Sequence, residues 1–295
     1  MSRTGDSPEL TMRPEEFRLL REVISSKTGI TFGTEARATL ERKLRERVLV
    51  LGLSSFSEYY QLLRFGGRGS SEWDEALELI TTNETYFFRE DYQLRAFRDE
   101  VVPLLAEQAR ARKRLAIWSA GCSTGEEAYT IAILTQDHPA LAGFEVRVFG
   151  SDISRRCVGV ARRGVYGPGS FRTTTADQKR QWFVERPDGL HVCDRIRGLV
   201  HFGQLNILEE ERTRLLGRMD AIFCRNVLIY FDAHARRRAI DLFHERLQPG
   251  GVLMLGHSES LLNVSTAFEL LHLREDLVYR KPSLNGLSGP RSDRT

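Results

Sequence analysis

Apolar residues recur at helical spacing through the first eighty residues. Pro14 precedes Glu15 and Glu16, a favourable first turn, and Phe17, Leu20 and Val23/Ile24 then share a face until Gly29. A second helix is predicted over about 35–51, with Leu40, Leu44, Val48 and Leu51 on one stripe. A third covers about 57–64, and a fourth carries Trp73, Ala76/Leu77 and Ile80. The glycine- and serine-rich run 66–71 between them predicts a flexible turn. No strand period is present, so this part reads as a small helical domain.

The texture changes from about residue 88. Residues 88–110 predict a helix with Pro103 as its kink or break. Near-continuous apolar runs at 115–119, 146–152, 219–224 and 252–256 then alternate with helical patterns, from Glu126, near 154–163 and near 233–247. This alternation predicts a parallel sheet with helices on both faces. Residues 190–203 predict a short antiparallel excursion with Gly198 at its turn, and the tail from about 283 predicts disorder. No internal repeat is evident.

Composition narrows the class. The 295 residues suit one large or two ordinary domains, and 41% hydrophobic with 28% charged residues is an ordinary globular balance. No apolar run reaches the roughly 18 residues that span a bilayer, and Met1–Pro8 has no apolar signal core. A soluble cytoplasmic protein is expected. A net charge of +3 argues against a dedicated nucleic-acid binder. Cys122, Cys157, Cys193 and Cys224 form no CxxC pair, which disfavours a zinc or redox site. Of 43 basic residues only five are Lys, and Arg37, Arg42, Lys43, Arg45 and Arg47 crowd the second helix.

Candidate chemistry lies at the predicted strand ends. Trp118-Ser-Ala-Gly-Cys-Ser-Thr-Gly-Glu-Glu-Ala-Tyr129 follows a strand and opens a helix. Gly121 and Gly125 allow a tight turn, but Glu126 and Glu127 would repel a phosphate at the helix start. The two acids suit a cationic or hydroxyl-bearing ligand, or else serve only the helix dipole. Asp152 ends the next strand, where an acid can hold a ribose diol or cap a helix. Together these favour a nucleoside without phosphate, and S-adenosylmethionine fits. Arg225 and Asn226 follow the 219–224 strand at the same edge, with Tyr230 and Phe231 as site-lining or core aromatics. Thr81-Thr-Asn-Glu-Thr-Tyr-Phe-Phe-Arg-Glu90 mixes polar and aromatic residues without a period, a candidate lid or an interdomain linker.

Four segments together resemble the CheR-type chemotaxis receptor methyltransferases: 83–90, 118–127, 151–153 and 223–232. Gly256-His-Ser-Glu-Ser260 matches a fifth, and the similarity runs in the family's order from about 14 to 281. The resemblance implies an α/β fold: a Rossmann-like class I methyltransferase sheet with a small antiparallel β-subdomain insert, preceded by an all-α N-terminal domain. On that reading residues 12–84 are the substrate-docking helical domain and 85–282 the methyltransferase domain. The β-subdomain falls at about 185–204 and the tail at 283–295.

The implied activity is transfer of methyl from S-adenosylmethionine to glutamate side chains of chemoreceptor cytoplasmic helices. The products are glutamyl methyl esters and S-adenosylhomocysteine. By motif match Asn83, Thr85, Arg89, Gly121, one of Glu126 and Glu127, Asp152 (on the ribose), Asn206, Ile207, Arg225 and Asn226 contact the cofactor. Tyr230 lies near the transferred methyl, and Arg89 and Tyr230 orient the reactants. Ile207 stands where the family often has Leu, and Cys122 where a small residue is common; both fit. A glutamate carboxylate, with a pKa of about 4.3, is already ionised at neutral pH, so the transfer needs alignment rather than a general base. Accordingly no Ser-His-Asp or metal constellation is expected. The basic second helix is expected to dock glutamate-rich receptor helices, which would give a membrane association only through the receptor. A monomer is expected. A non-catalytic cofactor-sensing module is the competing reading. The absence of an Asn-Pro-Pro-Tyr motif disfavours a nucleic-acid methyltransferase.

Overall fold

Pro14 at the first helical position and Gly29 just past the last bracket the first helix, Pro14–Thr28 (α1). The Arg13 N–H donates to Glu16 Oε2 (2.8 Å), and Gly29, at φ 76°, donates to Ser25 O. Phe17, Leu20, Val23 and Ile24 are buried along α1, as their spacing requires. Arg37–Val50 (α2) buries Leu40, Leu44 and Val48, whereas Leu51 falls beyond the helix end and is exposed. Phe56–Phe65 (α3) is capped by the Ser55 hydroxyl, and the Trp73 indole of Ser71–Ile80 (α4) donates to Leu63 O (2.8 Å). The structure is a computed structural model that describes residues 10–66 and 71–283. Residues 67–70 of the expected turn, and the expected tail from 284 on, lie outside the described residues.

Three of the five basic residues expected to dock a partner also have partners inside this helical unit. Lys43 Nζ donates to Leu79 O (2.8 Å), Arg45 pairs with Glu41, and Arg47 pairs with the buried Glu72, which also accepts the Tyr59 hydroxyl (2.6 Å). The reason is helical geometry. Positions 43 and 47 lie three residues after Leu40 and Leu44, beside the buried stripe, so their long stems reach neighbouring helices. Arg37 and Arg42 remain exposed. Arg47→Ala strands Glu72 and should lower stability by about 2 kcal/mol in a thermal or urea melt. An unchanged melt would mean the pair is idle.

The chain divides into two compact units. The helical one runs to Thr82 and takes in Tyr230–Asp232; the other comprises Asn83–Ile229 and the chain from Ala233. Thr31 N–H donates to Tyr230 O (2.9 Å), Ile30 bridges Phe231, and the Ser25 hydroxyl donates to Asp232 (2.8 Å).

The larger unit opens with Asp91–Ala96 (α5), a π turn over Phe97–Val101, and Val102–Gln108 (α6). The expected break at Pro103 is therefore a widened turn just before it, since proline offers no N–H and crowds the carbonyl four residues back. Among the described residues ten strands follow: Arg114–Ala120 (β1), Glu145–Asp152 (β2), Val165–Tyr166 (β3), Phe183–Arg186 (β4), Gly189–Val192 (β5), Val200–Gln204 (β6), Met219–Cys224 (β7), Leu247–Leu255 (β8), Glu269–His272 (β9) and Leu277–Arg280 (β10). Seven form one sheet in the order β6-β2-β1-β7-β8-β10-β9, parallel from β6 to β8 and antiparallel beyond. The strand order reverses around β1, between β2 and β7, and open α/β sheets bind ligands at such a point. Glu126–Thr135 (α7) follows β1 and Arg155–Arg163 (α8) follows β2. Among the described residues, no helix is long and apolar enough to cross a membrane.

The β-subdomain expected at 185–204 is placed differently. β3, β5 and β4 make a separate antiparallel sheet, and its hairpin turns at Pro187–Asp188. Gly198 instead ends the short helix Asp194–Arg197, and β6 is a parallel edge strand of the main sheet. A five-residue apolar–polar alternation carries no information on which strand it pairs with or in which direction, so the sequence pattern could not separate these outcomes.

Candidate functional site

The turn after β1 is built by backbone constraints. Gly121 (φ 80°) and Gly125 (φ 96°) sit in the left-handed region, and a Cβ on either would meet Val227 Cγ2 at 2.5 Å or Ala161 Cβ at 2.7 Å. Gly121 and Cys122 both donate to Ser151 O (2.8 Å), which ties the turn to β2. Asp152, buried at the end of β2, accepts Ser123 N–H at Oδ2 (2.8 Å) and Ser154 N–H at Oδ1 (2.9 Å). The cap of α8 is Ser154, whose hydroxyl accepts Cys157 N–H (2.9 Å), so Asp152 serves the turn. Its backbone oxygen accepts Leu205 N–H (2.9 Å), which brings Asn206 and the buried Ile207 beside it.

Glu126 and Glu127 diverge, as adjacent helical residues must. Glu126 is 2% exposed and accepts the Thr124 (2.6 Å) and Ser170 (2.8 Å) hydroxyls. Burial pushes its carboxyl up against the pull of those hydroxyls. Glu127 lies at the β1–β7 edge, where it accepts the Ser119 hydroxyl (2.7 Å) and Arg225 Nη1 (3.2 Å). Burial pushes its carboxyl up too, with Arg225 opposing.

Arg225 joins three segments. Its side chain is 3% exposed and donates from Nε to Gln93 Oε1 (2.8 Å), from Nη1 to Glu127, and from Nη2 to Arg89 O and Glu90 Oε2 (2.8 Å each). Burial, the largest single influence, would raise the Glu90 carboxyl, but the charge and hydrogen bond of Arg225, with weaker help from the Arg89 charge, together hold Glu90 below its usual range. Asn226 follows at φ 60°, and its N–H donates to Glu259 (2.7 Å).

The expected lid is a pinned wall. Phe87 is fully buried, with ring centroids 4.9 Å from Tyr166, 5.2 Å from Phe171 and 4.8 Å from Phe183. Its N–H donates to Ser170 O and its carbonyl accepts the Thr173 hydroxyl, while Phe88 N–H donates to the Thr130 hydroxyl. Asn83 is exposed and its carbonyl accepts the Ser123 hydroxyl (3.4 Å), and Thr85 is half-buried. The Arg89 side chain donates to Glu84 O (2.7 Å), away from the carbonyl that Arg225 takes.

Residues 83–277 match the CheR methyltransferase, SAM binding domain, and residues 15–81 match the CheR methyltransferase, all-alpha domain. The chain belongs to the CheR methyltransferase family. It is 36% identical over 276 residues to the chemotaxis protein methyltransferase 2 of Vibrio cholerae serotype O1, covering 93% of this chain and 95% of that one. The chemotaxis protein methyltransferases of Salmonella typhimurium and Escherichia coli K12 are each 35% identical over 267 residues. They cover 88% of this chain and 89% and 90% of their own.

S-adenosylmethionine is therefore the cofactor of this CheR domain, and the donor set suits it. The side-chain acids at the turn, Asp152 and Glu127, match hydroxyl and cationic groups, and the glycine turn leaves no Cβ in the way. Hydrogen bonds link Asn83 and Asp152 to Ser123 of the turn, Gly121 to Ser151 and Leu205, just before Asn206 and Ile207, to Asp152, and they join Arg89 and Glu127 through Arg225, which precedes Asn226. Tyr230 is grouped by its contacts with the helical unit. Sequence reasoning passed over Glu90, Gln93 and Glu259. Glu90 ends a quoted motif and Glu259 lies inside another, but only their distant partners reveal what they hold.

Proposed function

We propose that this chain methylates glutamate side-chain carboxylates of chemoreceptors, as a cytoplasmic monomer acting on the receptors' glutamate-rich cytoplasmic helices. The observation that carries the reading is the acid-lined edge of β1, where Glu127, Glu90 and Arg225 meet beside an Asp152-held glycine turn. S-adenosylmethionine supplies the activated methyl group, and the acceptor carboxylate becomes its ester. Asp152, a carboxylate acceptor at the end of β2, takes the ribose hydroxyls. Glu127 rather than Glu126 faces the cationic end, because Glu126 is turned to Ser170 and closed from solvent. Arg225 aims Glu127 and fixes the 83–90 wall, from which Asn83, Thr85 and Arg89 border the cofactor. Gly121, Asn206, Ile207 and Asn226 complete the pocket. Arg89 and Tyr230 orient the reactants, and no residue needs to move a proton.

We place substrate docking in residues 12–84 and methyl transfer in residues 85–282. The exposed Arg37 and Arg42 are the docking charges that remain on α2. Labelled S-adenosylmethionine with receptor-bearing membranes should give a base-labile methyl ester that peptide mapping assigns to glutamates. Label on another residue type, or bound cofactor without transfer, would overturn the reading. An Arg37→Glu/Arg42→Glu double variant should raise KM for the receptor several-fold, chiefly at low salt, with cofactor affinity unchanged. An unaltered receptor KM would remove α2 from the docking surface.

A further inference from the structure

Glu259 lies four residues beyond β8, and its bond to Asn226 is one of several. Its half-buried carboxylate accepts five backbone N–H groups. Oε1 takes those of Val227 (3.0 Å), Leu228 (2.7 Å) and Ile229 (3.3 Å), and Oε2 those of Asn226 (2.7 Å) and Gly256 (2.8 Å). Four of the donors are consecutive, and Asn226 at φ 60° curls them to one side. Such a run of amides is a backbone nest, a concavity that binds anions. Here the chain fills the nest with its own carboxylate.

The nest loop touches the cofactor turn directly. Val227 is the side chain that a Cβ on Gly121 would strike. Arg225, which donates to Glu127 and Glu90, immediately precedes the loop. A shift of the loop therefore moves Val227 against Gly121 and disturbs Arg225 beside Glu127.

We propose that Glu259 is a positioning residue for methyl transfer, an internal anion that holds loop 226–229 against the glycine turn. The inference rests on the methyl-transfer reading above. The site demands an anion because all five neighbours are donors. A glutamine would turn an NH2 group toward two or three of them and leave those amides without an acceptor. An alanine would leave the nest open to small carboxylates.

Glu259→Ala and Glu259→Gln would be compared with the wild-type full chain by S-adenosylhomocysteine titration, methyl-transfer kinetics and thermal melting. Both variants should bind cofactor more weakly, and kcat/KM should fall about 100-fold, the cost of a small misplacement near the reacting atoms. Formate or acetate should restore binding to Glu259→Ala but not to Glu259→Gln, whose side chain occupies the nest. Chloride at equal ionic strength should restore neither. Wild-type cofactor affinity in both variants would overturn the proposal. So would a folded Glu259→Ala that no carboxylate rescues, since that describes a merely structural side chain. Should Glu259→Ala fail to fold, weakened cofactor binding by a folded Glu259→Gln supports the proposal and unchanged binding overturns it. A wild-type protein that binds cofactor yet methylates no receptor would sink the methyl-transfer reading, while titration and rescue would still decide the role of Glu259.

Discussion

Arg225→Met is expected to abolish measurable cofactor binding and to lower the melting temperature of the larger unit by roughly 10 °C. The guanidinium is almost fully buried and serves Gln93, Glu127, Glu90 and the Arg89 carbonyl together. Methionine fills much of the volume but leaves two carboxylates without their cation. Removing one partner of a buried ion pair typically costs about 3–5 kcal/mol. The charge lost has a further effect. Burial pushes the Glu127 carboxyl up, and Arg225 is the first group opposing it. Without Arg225 the acid keeps its proton to higher pH and ceases to attract a cationic ligand. Arg225→Lys should recover little, because a point charge on a flexible stem cannot serve four partners spread over a planar fork. Cofactor titration with thermal melting checks both outcomes. A folded Arg225→Met protein that binds like wild type would show that the network is dispensable.

Phe87→Ala should lower stability by about 3–5 kcal/mol, the usual cost of emptying a large aromatic site. Three ring contacts are lost at once, to Tyr166, Phe171 and Phe183. The functional loss should exceed what stability explains. Phe87 fastens the 83–90 wall, and that wall delivers the Arg89 carbonyl and Glu90 to Arg225. Cofactor affinity should therefore fall even in the folded fraction, at temperatures well below the transition. Phe87→Leu keeps an apolar plug and should recover most of the affinity. Urea melts and titrations on the same samples separate the two effects. A destabilised Phe87→Ala with unchanged affinity would show that the wall is held by other contacts.

The parts of the fold that the sequence made legible share one property: their causes are local or periodic. Pro14 and Gly29 bound α1 because capping involves only neighbouring residues. β1, β2, β7 and β8 stand out as apolar runs because the centre of a parallel sheet is largely covered. The edge strands do not. The pattern of β6 does not distinguish the small sheet from the main one, and β9 and β10 are short and partly polar, so no period announces them. The positive φ of Gly121 and Gly125 was readable from residue type alone.

Charge was the least legible feature, because its meaning lies in partners far along the chain. The Arg and Lys side chains of α2 looked free, yet Glu72 and Leu79 engage two of them from α4. Glu126 and Glu127 were indistinguishable as letters, and a single helical step sends one to Ser170 and the other to Arg225. By itself the sequence determined the two-part architecture, the glycine turn and the cofactor class, through spacing and backbone permissiveness. Only the tertiary structure decided that Arg225 is a buried hub, that the 83–90 segment is a fixed wall and that Glu259 fills a nest of amides. Each of these depends on desolvated polar groups finding one another across tens of residues, and a buried charge is tolerated only where the fold has already assembled its partners.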